Sequence, residues 1–569
     1  MDSGTSISLP RRGQLKALIP GVAWIVTAIV LAILVLVPVF YLVRASVTTP
    51  SGLSFDNYSQ LLHVARFQRA MANSLIIGVI TSISAMVIGT SMAWLVSQTD
   101  IPFRRTIRIC VLGNFAVPAF VNALSWVLLA GPNAGLLNTT WMSLTGSDTG
   151  FINIFSMHGL IIVSTCAVYS LAFIFMYNAF ESTDSDMEQA ARILGAGGRR
   201  VFFTVTLPLA SPAIIAGFIM TFLESLTLYG APAVIGVPAR IYVVTTQVWA
   251  LFEYPPQVAV AAALSLPLVI ITVALLWVQK LVIGRRTFGT IQGKAGRRQR
   301  YVLGAWRWPA FAYAAAIVFL TFILPNAMLL AKSVYQHKEG LLSLSNFTLG
   351  HYSYVLFDYI DGVPSIKNSL ITSFIAASAA VVLALVAAFI AKRKLISFSG
   401  LIGFLATLPL VVPSMVFAVG LVAAYSTGWI SLYGTLTILV LAYLTKNLPY
   451  AYMTCSTALS TVHVDLEHAA RVLGSSNLRV LQQITAPLIR GGILTGWIVV
   501  FANSLRELSS SVLLYTSKTT VIPTAIMDVY YASDWGSVAA LSVILLAINA
   551  VVIGAGYGLF GRNVINPNA

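Results

Sequence analysis

Charged side chains are scarce. Only 9% of the 569 residues are Asp, Glu, Lys or Arg, and 58% are hydrophobic. Soluble domains carry about 25% charged residues, so a soluble globular chain is excluded. Mean hydropathy is +0.86, as expected for an integral membrane protein with many spans. Strict polar–apolar alternation is missing too, which argues against strands of an outer-membrane barrel. The apolar runs continue over roughly 20 residues and read as helices, whose backbone hydrogen bonds close within the segment. Cysteine is rare. Cys110, Cys166 and Cys455 all lie in apolar stretches, with no CxxC pair. The six histidines are scattered without metal-ligand spacing, so neither a disulfide framework nor a metal site is expected. A nucleotide-binding loop is also lacking. Gly293-Lys294 comes nearest, but Gly289 stands four residues before Gly293 where five are needed, and Ala295 replaces Ser or Thr. No strand precedes it either. The chain is not expected to hydrolyse ATP, and no cofactor of its own is expected.

Acidic residues are outnumbered, 18 against 34 basic ones, giving a net charge of +16. In a soluble protein that balance would suggest nucleic acid. Here the charges sit between apolar runs, so the expected contact is lipid and not nucleic acid. Arg11, Arg12 and Lys16 precede an apolar run from Pro20 to Val43. That run is too long for a signal core and lacks a small-x-small cleavage site, so it reads as the first span.

Spans are predicted near 19–43, 73–97, 107–130, 157–180, 211–231 and 257–282, then near 309–332, 368–391, 399–425, 430–456, 490–514 and 536–560. The expected fold is all-α, with about 12 transmembrane helices in two sets of six. With a cytoplasmic N-terminus, cytoplasmic segments hold 23 of the 34 Lys and Arg and external segments eight, the other three lying within spans. The positive-inside bias thus predicts both termini in the cytoplasm.

The two sets are related by an internal repeat. Glu188-Gln-Ala-Ala-Arg-Ile-Leu-Gly195, nine residues, then Val205-Thr-Leu-Pro208 recurs as Glu467-His-Ala-Ala-Arg-Val-Leu-Gly474, nine residues, then Ile484-Thr-Ala-Pro487, every position offset by 279. Phe55-Asp-Asn-Tyr58-Ser parallels Leu349-Gly-His-Tyr352-Ser at an offset of 294, and Asn73-Ser-Leu75 parallels Asn368-Ser-Leu370 at 295. The change of offset leaves about sixteen extra residues in the first half, assigned to an external loop around Gly131–Gly150. Six spans per half give both halves the same orientation, a parallel repeat about an axis along the membrane normal. The expected organisation is a first half over 1–283, a basic cytoplasmic linker over 284–308 and a second half over 309–569. The linker is Gly-rich and suits the neighbourhood of anionic headgroups.

Each repeated island, 184–208 and 463–487, is polar and helix-prone, between long apolar runs. Ser185-x-x-Glu188 forms a capping box. Ala190 and Ala191, like Ala469 and Ala470, favour helix and let another surface come close. Gly195 and Gly474 suit a left-handed cap that ends the helix. Pro208 and Pro487 fit the first turn of the next span. The expectation is a helix–turn–helix knob on the cytoplasmic face, in two copies.

The pattern Glu-x-Ala-Ala-x-x-x-Gly, nine residues, Ile/Val-x-x-Pro resembles the cytoplasmic loop of permease subunits of bacterial binding-protein-dependent ABC importers. The resemblance covers essentially the whole chain. It implies a type I importer-like fold in the bacterial inner membrane and a coupling helix in each half. Two ATPase subunits, which would bind the ATP and Mg, would grip those helices on the cytoplasmic face. A substrate-binding protein would dock outside. The contacting residues implied are Glu188, Ala190, Ala191, Gly195 and Pro208, with Glu467, Ala469, Ala470, Gly474 and Pro487. Gln189 and His468 stand where many members have a second acid, and Ala486 where they have Leu. Two fused halves resemble the ferric-iron permeases, and also 2-aminoethylphosphonate, thiamine and polyamine importers. Leu505-Arg-Glu-Leu-Ser-Ser-Ser-Val-Leu-Leu-Tyr515 is most similar to the ferric-iron branch. A rival reading is a secondary transporter of twelve spans with parallel repeats.

Ionisable groups inside spans are costly and face a cavity or a partner. Glu224, with its repeat counterpart Asn503, and Lys446, Arg506 and Glu507 are candidates to line the path. The alternative is that Lys446 or Arg506 pairs with Glu507 and fixes packing.

Overall fold

The computed structural model describes residues 12–182, 185–284, 300–336, 346–397, 399–426 and 430–565. The linker's basic stretch 285–299, with Gly293-Lys294, lies outside the described residues, as does Asp184 at the start of the first island. Among the described residues the architecture is all-α, apart from one hairpin of two-residue strands, Thr48–Thr49 and Gly52–Leu53. Among the described residues, seven helices are long and apolar enough to cross a membrane: Trp24–Ser46, Ala65–Gln98, Met157–Ser182, Val258–Leu281, Gly304–Ser333, Gly362–Arg393 and Trp535–Gly556. Four bent helix pairs bring the spans to as many as eleven.

Those bent pairs correct four straight spans expected from the sequence. The third, 107–130, is two helices, Arg104–Ala116 and Ala119–Ala130, bent by 102°. Pro118 is the cause: the ring of a proline drives the preceding residue out of the helical region, and Val117 is extended at φ −77°, ψ 126°. The ninth, 399–425, breaks the same way before Pro413, with Ser399–Leu410 and Ser414–Tyr425 bent by 105°. The fifth and eleventh start earlier than expected, as Phe202–Leu209 bent by 60° onto Ser211–Thr227 and Asn477–Leu488 bent by 80° onto Arg490–Leu505. Their far ends stop at Thr227 and Leu505, short of the expected 231 and 514. The expected tenth span, 430–456, is the 24-residue helix Leu436–Leu459. At 1.5 Å per residue it is about 36 Å long, enough to cross. Lys446, Asn447 and Pro449 interrupt its apolar run, and it is not among the helices apolar enough to count.

The chain forms two compact units that interleave along the sequence. One comprises Met1–Leu42, Pro364–Pro523 and Ala547–Ala569, the other Val43–Val363 and Thr524–Leu546. The first helix of each repeat lies with the body of the other repeat. Trp24 packs on Phe389 with ring centroids 6.4 Å apart, and the Pro38 carbonyl lies against Gly420. Likewise the Thr321 hydroxyl meets the Tyr169 hydroxyl at 2.9 Å, and the Phe322 ring covers Gly113.

Each unit is centred on small-residue packing. In the second, Ala65–Gln98 lies on Met157–Ser182, and a Cβ at Gly89 would fall 2.6 Å from the Ala172 Cβ and 2.7 Å from the Phe173 nitrogen. In the first, Leu436–Leu459 lies on Arg490–Leu505, and a Cβ at Gly492 would fall 2.4 Å from the Ala458 Cβ. Without water to drive association, helices in lipid gain by such close backbone approach. The first-half insertion around Gly131–Gly150 holds a helix of its own, Leu136–Thr145. Buried Asn138 staples it, donating to the carbonyls of Gly131 at 2.9 Å and Ile152 at 2.7 Å.

Candidate functional site

The islands fold alike, element for element, at the offset of 279. Short helices run over Ser185–Ile193 and Val464–Val472. They end at glycines in the left-handed region, Gly195 at φ +83° and Gly474 at φ +86°. The Ala196 and Ser475 amides then donate back to the Ala191 and Ala470 carbonyls, both at 3.0 Å, which satisfies helix-end carbonyls. A turn follows at Gly198–Val201 and Asn477–Val480, then a π-helical turn at Phe202–Thr206 and Leu481–Thr485. Pro208 and Pro487 occupy the first turn after it and are exposed. The Ser185 side chain of the expected capping box lies outside the described residues; in the second copy Val464 stands there, after His463, which makes no side-chain cap.

The island carboxylates turn inward. Glu188 is 5% exposed and Glu467 is fully buried. Thr206 donates its hydroxyl to Glu188 Oε1 at 2.6 Å, and Thr485 does the same to Glu467 Oε1 at 3.2 Å. Each carboxylate thus ties the island helix to the π-helical turn eighteen residues on. Glu467 also receives a two-pronged guanidinium, Arg393 Nε to Oε2 at 2.9 Å and Nη2 to Oε1 at 2.8 Å, and Arg471 Nη2 at 3.2 Å. Such bidentate, charge-assisted pairs are among the strongest side-chain bonds.

Each island turns an apolar tip outward among exposed polar residues such as Gln189, Asp465 and His468. Ile193 and Leu194 are 85% and 87% exposed, and Val472 and Leu473 are 87% exposed. Ala190, Gly195, Ala469 and Gly474 are exposed beside them, Ala191 is half-buried and Ala470 is buried. The motif by itself gives no role to these tips, to Thr206 and Thr485 or to Arg393. The Thr pair carried a signal, being identical at the repeat offset. Arg393 carried none, because it comes from a different helix.

Of the charges expected inside spans, Lys446 pairs with Glu507. Glu507 stands just beyond the helix Arg490–Leu505, and its Oε1 also accepts from the Ser510 amide at 3.1 Å and hydroxyl at 3.3 Å. Arg506 instead donates to Asn503 Oδ1 at 2.8 Å. Glu224 is exposed on Ser211–Thr227, in the other unit.

The family model "Binding-protein-dependent transport system inner membrane component" matches residues 85–288 and 380–559. A "Ferric transport system permease protein FbpB" of Actinobacillus pleuropneumoniae is 24% identical over 85% of this chain and 70% of its own. A "Probable ABC transporter permease protein y4fN" of Sinorhizobium fredii is 25% identical over 90% of each chain. A "Putative 2-aminoethylphosphonate transport system permease protein PhnV" of Salmonella typhimurium is 26% identical over 43% of this chain and 91% of its own. Among solved structures, a bacterial ABC transporter for import of the acidic polysaccharide alginate is 16% identical, with a TM-score of 0.40 over 48% of this chain and 96% of that one. Two matched segments that together span most of both repeats set aside the secondary-transporter reading. The chain belongs to the family of inner membrane components of binding-protein-dependent transport systems and is a permease of an ABC importer.

Proposed function

We propose that the two islands are the seats of two ATPase subunits on the cytoplasmic face. A loaded substrate-binding protein docks on the opposite, external face. The observation that carries this is the doubled knob: two loops with the same glycine-capped path, each with an exposed apolar tip and a buried carboxylate bonded to the next helix. Exposed large apolar tips flanked by small residues fit a groove on a partner. The ATPase partners hold the ATP and Mg and do the hydrolysis. Their closure presses on Ala190, Gly195, Ala469 and Gly474 with the adjoining tips. Glu188 and Glu467 act from inside, passing that push to the bent helices that begin at Phe202 and Asn477. Glu224, Lys446, Asn503, Arg506 and Glu507 are the candidates along the path.

Ferric iron is the proposed cargo. The support is the ferric-transport naming of relatives aligned over 80% or more of this chain. A second reading, 2-aminoethylphosphonate, is supported by relatives aligned over 43% of it. The test is purification of the chain with its partners in mild detergent, with metal analysis and small-molecule mass spectrometry of any binding protein retained. An ATPase with a binding protein that holds ferric iron is the expected result. A retained organic phosphonate would overturn the iron cargo, and transport without any ATPase would overturn the coupling.

A further inference from the structure

We propose that Tyr301 is a positioning residue for the first island, so that the two islands are held by different chemistry. The repeat makes the comparison internal. Arg393 of the second half corresponds to Gln98 of the first, at the offset of 295. Arg393 does two jobs: it clamps Glu467, and its Nη2 caps the carbonyl of Leu459 at 3.4 Å. Gln98, buried, keeps only the second job. Its Nε2 donates to the carbonyl of Phe180 at 3.0 Å, the repeat equivalent of Leu459.

The clamp that Gln98 lacks is supplied from another part of the chain. The Tyr301 hydroxyl donates to Glu188 Oε2 at 3.4 Å. Tyr301 lies on a short strap, Arg300–Leu303, at the end of the connection between the two repeats. Backbone bonds and ring packing hold that strap. The Tyr301 amide donates to the Gln98 carbonyl at 2.8 Å, and the Asp100 amide donates to the Tyr301 carbonyl at 3.3 Å. The Leu303 amide donates to Asp100 Oδ1 at 2.9 Å. The Tyr301 ring packs on Trp94, centroids 5.9 Å apart, and covers Gly198 of the island's second turn.

A hydroxyl at this length is a weaker hold than a bidentate guanidinium. The strap therefore gives the first island the hold that Arg393, from within its own repeat, gives the second. The structural part of this proposal stands apart from the coupling reading; only its effect on ATP hydrolysis rests on that reading.

The test uses the full chain in lipid nanodiscs and hydrogen–deuterium exchange. Tyr301→Phe keeps the ring on Trp94 and removes the hydroxyl. Exchange over 187–206 is expected to quicken about three- to tenfold, the worth of one net hydrogen bond, with 464–485 unchanged. Adding Gln98→Arg, which installs the guanidinium of the second half, is expected to restore slow exchange. Unchanged exchange in Tyr301→Phe, an equal rise in both islands, or no rescue by Gln98→Arg overturns the proposal. In the assembled complex, Tyr301→Phe is expected to lower ATP hydrolysis stimulated by the loaded binding protein by a similar factor. Quickened, rescuable exchange with unchanged stimulation would uphold the strap and sink the coupling role of the island.

Discussion

Two buried carboxylates and one half-buried ion pair dominate at the scale of single residues. A carboxylate leaves water only when its oxygens find donors. Glu467 finds Arg393, Arg471 and Thr485, and Glu188 finds Thr206 and Tyr301. Their chemistry is inward, although their place in the motif suggested outward contacts. Glu507 follows the same rule with Lys446 and Ser510. Removing it strands the cation. A fully buried pair broken this way costs roughly 3–5 kcal/mol. The Lys446 side chain is 31% exposed, so about 2 kcal/mol is expected for Glu507→Ala. A thermal-unfolding scan in detergent checks it: a clear fall in Tm is expected, and a Tm equal to that of the unaltered chain would mean the pair holds nothing.

At the scale of elements, prolines decide where helices bend. Pro118 and Pro413 each force the residue before them out of the helix and turn one apolar run into two short helices. A hydropathy window sees only the run, so it draws a straight span. Glycines decide where helices touch. At Gly89 the backbone of the neighbouring helix lies where a side chain would stand. Backbone cannot yield as a flexible side chain can, so Gly89→Leu is expected to part Ala65–Gln98 from Met157–Ser182, at a cost of about 3 kcal/mol, the upper end for overpacking. The readout is the folded, monodisperse yield after size exclusion. Normal yield would show that this contact does not organise the unit.

At the scale of the whole molecule, one chain carries two apolar tips built to the same plan. Leu473 is almost fully exposed, so Leu473→Asp is expected to change stability by no more than about 0.5 kcal/mol. On the docking reading it buries a charge in the partner's groove, and retention of the ATPase in a pull-down is expected to fall about tenfold or more, the scale of an unpaired buried charge. Full retention at unchanged Tm would show that the tip is not a contact.

Sequence alone determined the class and the plan: helices in a membrane, two parallel repeats, and two islands with glycine caps. These follow from local composition and spacing, which act within a few residues. Gly195 and Gly474 were legible because only a residue without a side chain rests easily at their φ. Tertiary structure alone decided the rest. That the first helix of each repeat packs with the body of the other depends on which apolar surfaces fit, and hydropathy is blind to that. That Glu467 meets Arg393, 74 residues away, while Glu188 meets Tyr301, 113 residues away, is equally invisible in either island. Burial of a carboxylate is set by what folds over it, and here what folds over it comes from a distant helix in one island and a distant strap in the other.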